Sequence, residues 1–97
     1  MANLTNRITV NTSSTLLQAA NSRLYYFGIQ NLASNADSIF LHIGEDDATT
    51  TNGLEVAPDR YLEISNLISN EPIKAIVEGG AAQPVIITVF ISAKQSF

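Results

Sequence analysis

The segment at residues 84–92, PVIITVFIS, constrains this chain more than any other. Val85, Ile87, Val89 and Ile91 stand at every second position, and side chains two apart share a face only in an extended strand. All four are β-branched, which favours the pleated conformation further. The same period of two recurs in Ile8 and Val10, in Ile39, Leu41 and Ile43, and in Leu62 and Ile64. No segment of helical length sustains a 3.6-residue repeat, so the chain reads as all-β.

Strands are expected at residues 7–12, 23–31, 38–43, 54–56, 60–65, 73–78 and 84–92, with 16–20 as a short strand or an extended link. Between them lie turn residues: the polar stretch 11–15, Asn21 and Ser22, residues 34–37, Asn52-Gly53, Pro58-Asp59 and Gly79-Gly80. Pro84 lacks an amide hydrogen and belongs at the first residue of its strand or on an edge. A chain of 97 residues builds one core. The expected fold is therefore a single-domain antiparallel β-sandwich or small barrel of about seven or eight strands, occupying residues 1–97, with 1–6 and 93–97 as terminal arms.

In a two-layer sandwich each sheet has one buried face, so a strand should alternate apolar with polar. Two strands do not. Residues 84–92 carry Ile86 and Phe90 opposite the core series, and residues 23–31 carry Leu24 and Tyr26 opposite Tyr25, Phe27 and Ile29. Leu24, Tyr26, Ile86 and Phe90 are thus the candidate interface, since contiguous apolar residues on an outer face mark a contact surface.

Other chemistry is sparse. Nine acidic against five basic side chains give a net charge of −4, which offers nothing to a phosphate backbone, so no nucleic-acid partner is expected. The chain has no cysteine, hence no disulfide and no thiolate metal site. No basic segment precedes an apolar one at the start, and no apolar run approaches about 18 residues, so neither an export signal nor a membrane span is expected. His42 is the only histidine and lacks a triad or metal-ligand pattern around it. Glu45, Asp46 and Asp47 lie in a polar loop at residues 44–53 without the ligand spacing of a calcium loop, and read as a solvated, exposed tip. Single ion pairs, Asp59 with Arg60 and Lys74 with Glu78, are expected at the surface. There is no phosphate loop, nucleophile elbow or zinc helix motif, so neither catalysis nor a cofactor is expected.

One ordered series of short motifs carries a family resemblance. Arg23 precedes a strand ending in Ile29, Gln30 and Asn31; FLHIG follows at residues 40–44; a Thr-rich loop ends in Asn52, Gly53 and Leu54. Then come Val56, Ala57 and Pro58, next Leu62, Glu63 and Ile64, and finally PIKAI at residues 72–76. Over residues 8–92 this resembles the small β-sandwich proteins that decorate or cement the capsids of tailed bacteriophages and prophages, or form the base of their head fibres. It departs from them in the acidic residues 45–47, in Tyr25 and Tyr26, and in the apolar last strand. The resemblance implies a structural virion protein on the outer capsid surface, whose partners are the major capsid protein and further copies of itself, a trimer being slightly favoured. The alternative is a host-surface or glycan-binding module, such as a fibre base or lectin-like head.

Overall fold

The computed structural model of the chain describes residues 5–20, 24–65 and 71–91, with side chains described at 5–20, 26–64 and 71–89. Its strands are β1 (Thr5–Val10), β2 (Thr15–Gln18), β3 (Leu24–Asn31), β4 (Ile39–Ile43), β5 (Leu54–Val56), β6 (Arg60–Ser65), β7 (Ile73–Val77) and β8 (Gln83–Ile91). They form two four-stranded antiparallel sheets, ordered β1-β8-β3-β6 and β2-β7-β4-β5. The fold is a β-sandwich. β1 begins at Thr5, two residues inside the stretch read as an arm, because Thr5 and Asn6 join the sheet through their backbones opposite Thr88 and Ile87. Residues 93–97 lie outside the described residues.

The pairing has a simple logic. β4 pairs with β5, β3 with β6, β2 with β7 and β1 with β8, all antiparallel. The chain is one long hairpin whose tip lies between β4 and β5. That hairpin is rolled up so that β8 also meets β3, and β7 also meets β4. This is the jelly-roll order. Every connection except β4 to β5 passes from one sheet to the other.

Period-two alternation then sorts the side chains. Val10, Phe27, Ile29, Val85, Ile87 and Val89 of the first sheet meet Leu17, Ile39, Leu41, Val56, Ile73, Ala75 and Val77 of the second. Val85, Ile87 and Val89 occupy the core as the sequence parity requires, and Ile86 between them is half-buried on the other face. Pro84 sits second in β8, an interior strand of its sheet. It is tolerated because the pairing with β3 ends at Val85, so only β1 flanks the chain at Pro84.

One end of the sandwich is closed by amides. Asn31, the last residue of β3, is fully buried, and its carboxamide uses all four of its hydrogen-bonding positions. Nδ2 donates to the carbonyls of Asp37 at 3.0 Å and Val56 at 2.8 Å; Oδ1 accepts from Asn35 at 2.8 Å and Gln83 at 3.3 Å. Asn35 also donates to the Pro84 carbonyl, and Gln83 to that of Asp37. These bonds tie β3 and β8 of one sheet to β5 and the approach to β4 in the other. The Asn31 carbonyl accepts from Asp59 N, and Arg60 N donates to Ala57 O across the turn between β5 and β6. Asp59 has φ of 65° with Pro58 before it, the arrangement of a type II turn.

Two substitutions test these layers. Ile87→Ala is expected to cost about 2–5 kcal/mol in urea unfolding, as a buried large-to-small change does. Asn31→Asp keeps the shape but turns an acceptor toward two carbonyls, and is expected to cost about 2 kcal/mol or more at pH 7. Its deficit relative to the parent should shrink in acid, where a protonated carboxyl donates again; an equal deficit at pH 7 and below pH 4 would contradict that account.

Candidate functional site

On the outer face of the first sheet, register aligns side chains in rungs. Arg7, Ile86, Gln30 and Tyr61 form one, and Thr5, Thr88, Gly28 and Glu63 the next. Ile86, one of the four residues of the expected apolar interface, is thus half-buried between Arg7 and Gln30. Phe90 is opposite Tyr26 in backbone register, and its side chain lies outside the described residues. Leu24 does not continue that rung series: a register shift between Leu24 and Tyr26 places Leu24 opposite Ile91. Strict alternation read from sequence assumes an unbroken strand, and an irregularity of this kind resets the parity. The Leu24 side chain is likewise outside the described residues.

Tyr26 is the centre of a polar cluster that the apolar pattern did not reveal. Gly28 is buried beneath it, and a Cβ there would collide with the Tyr61 hydroxyl and lie 3.0 Å from that of Tyr26. The two rings lean over the gap that glycine leaves in the sheet. Tyr26 donates to Glu63 Oε2 at 2.8 Å and shares a hydrogen bond with Tyr61. With its single proton committed to Glu63, the Tyr26 oxygen accepts from Tyr61. The hydrogen bond to Tyr61, then that to the Glu63 carboxylate, raise the Tyr26 phenol well above its ordinary value of 10.0. Tyr61 remains 53% exposed. A glycine amid aromatic residues in a strand was the available signal.

At the tip of the rolled hairpin Glu45, Asp46 and Asp47 are exposed, as expected. The rest of that loop is docked. Ala48 is buried and its N–H donates to Ser14 Oγ at 2.9 Å; Asn52 bridges Thr49 N and the Asp47 carbonyl. Lys74 does not reach for Glu78, since four residues along a strand span about 13 Å. Its ammonium instead donates to the Glu45 carbonyl at 2.6 Å and lies 4.0 Å from Asp47. Among the described residues, no cluster of three or more His, Asp or Glu is placed to hold a metal.

The outer face of the second sheet escaped the sequence reading. Phe40 lies opposite Ile76, and Lys74 opposite both His42 and Leu16. Phe40, His42 and Ile76 are half-buried and Leu16 is 54% exposed. The sandwich therefore presents two mixed faces: one of tyrosine, carboxylate and amide, the other of Leu, Phe and Ile beside a lysine and a histidine. No family model, curated protein or solved structure matches the chain.

Spectroscopic titration at the phenolate band tests the tyrosine cluster. Tyr26 is neutral in the folded state beyond pH 10, whereas in the unfolded chain it ionises near its ordinary value. Its contribution to stability is therefore complete below pH 10 and lost as pH rises above it. Glu63→Gln is expected to bring the late-titrating tyrosine down; an unchanged titration refutes the coupling. For the loop, replacing Glu45, Asp46 and Asp47 together by Ser should change stability by about 0.5 kcal/mol or less, while Ala48→Asp should lower the melting temperature clearly.

Proposed function

We propose that this chain is a structural virion protein that binds the outside of a phage capsid as a homo-oligomer and stabilises or decorates the shell. The observation that carries this reading is the jelly-roll order of the strands, an architecture that recurs in viral capsid and lectin domains. The motif series supports it residue by residue. Asn31 closes the amide end of the sandwich, Asn52 and Gly53 complete the hairpin tip, and Pro58 opens the turn into β6. These motif residues set turns and strand ends in this fold, while Ile29, Leu41, Ile73 and Ala75 of the same series lie in its core.

A cement protein needs broad docking surfaces rather than a cleft. Binding across neighbouring capsid subunits stabilises the assembled state by mass action, and several modest contacts add through effective concentration. Both outer faces of this sandwich mix half-buried apolar residues with polar groups, the composition of a non-obligate contact. The exposed Tyr61 beside Gln30 and Glu63 supports the second reading, a glycan-binding head, because an aromatic face with flanking polar groups suits a sugar ring.

Particles purified from the phage or prophage that encodes the chain distinguish the two. The capsid reading expects the protein at fixed stoichiometry on the shell by mass spectrometry and cryo-EM, and earlier heat release of DNA from shells lacking it. Its absence from the shell, with saccharide-dependent binding of the purified protein to cells, overturns that reading in favour of the glycan module.

A further inference from the structure

We infer that β6 is a dimerisation edge, pairing antiparallel with β6 of a second copy about a two-fold axis beside Leu62. A terminal strand of a sheet is a template for another chain unless something blunts it. The four terminal strands here differ in that respect. β5 is three residues long with Pro58 shortly after it, and β2 is four residues long with a register shift between Leu16 and Gln18. β1 places a polar residue, Asn6, at a core-side position opposite Ile87. β6 carries none of these devices: it is six residues long, lacks proline, pairs with β3 without a shift, and has apolar Leu62 and Ile64 on its core side.

Its side chains also leave the edge clear. Tyr61 leans over Gly28 and Glu63 accepts from Tyr26, so both bend toward β3 and away from the free side. Arg60 N–H goes to Ala57 O rather than into the ladder. The Asn31 carbonyl accepts from Asp59 N and so points toward β6; by antiparallel alternation Leu62 and Ile64 turn their backbone groups toward β3, and Tyr61 and Glu63 turn theirs to the free edge.

The second copy is favoured as occupant because β6 is complementary to itself in one register. Directly opposite residues must share a face, so the axis passes beside a residue rather than between two. An axis at Glu63 sets two like charges opposite one another, which is destabilising. An axis at Tyr61 leaves only residues 60–62 overlapping. An axis at Leu62 overlaps residues 60–64, sets Tyr61 opposite Glu63 of the second copy, and brings no like charges together. The contact is isologous and closed, a two-fold arrangement in place of the three-fold one the resemblance implied, and it does not depend on the capsid reading.

The chain has no cysteine, so introduced ones report the register directly. Light scattering on the purified full chain at micromolar concentration is expected to give the mass of two chains. On oxidation, a mixture of Tyr61→Cys and Glu63→Cys proteins should form a mixed disulfide at several times the yield of either alone, because opposite Cβ atoms lie about 4.5–5.5 Å apart. Leu62→Cys, on the axis, should link to itself, which keeps the test decisive if either partner of the mixture fails to fold. Thr88→Cys, on the same face but away from the edge, should not. A monomer, a three-fold or larger particle, or cross-linking no more frequent at these positions than at Thr88 overturns the proposal.

Discussion

A buried carboxamide must find four partners or destabilise the fold that buries it, and in this sandwich Asn31 finds all four. Its partners come from three segments far apart in sequence: the loop that holds Asn35 and Asp37, the end of β5, and the start of β8. Those segments are mutually positioned by one planar group. Apolar packing alone holds two sheets together at about 10 Å but leaves them free to slide. The amide bonds have fixed directions, so they set the alignment at that end, while the residues of the core supply most of the free energy. No buried side-chain nitrogen or oxygen among the described residues lacks a partner, which is the condition under which such a network stabilises rather than weakens.

With one end fixed, the broad outer faces become the variable part. The Gly28 gap, roofed by Tyr26 and Tyr61, shows how an outer face gains shape without a pocket. The rings occupy the space left by a missing Cβ, and Glu63 holds them there. The hairpin tip follows the same economy: an exposed acidic turn stands on a base anchored by Ala48, Ser14 and Lys74. Both are rigid displays on a scaffold whose interior they do not disturb.

The all-β class, the eight segments and the core parity of Val85, Ile87 and Val89 were legible in the sequence, because period-two alternation is a local property of strands. The sheet order was not, since which strand meets which is decided by non-local pairing that no short window contains. The register shift between Leu24 and Tyr26 was not legible either, since alternation carries no sign of it. Tyr26 was assigned to the outer face correctly, but its partners Tyr61 and Glu63 come from a strand 35 and 37 residues away. Asn31 showed itself only as a motif letter; its burial follows from three segments meeting around it, the loop of Asn35 and Asp37, the end of β5 and the start of β8.

The position of β8 has a consequence for how the molecule is made. It is the last of the described strands, yet it lies inside its sheet, between β1 and β3. Until it emerges from the ribosome, β1 has no partner in its sheet, and β3 is paired on one side only. The nascent chain must therefore carry open strand edges until β8 has emerged, and the sandwich closes only then. A premature stop before Gln83 removes the centre of a sheet rather than a fringe. Chains that stop short of β8 would leave β1 and one side of β3 unpaired, the open edges on which aggregation and proteolysis act.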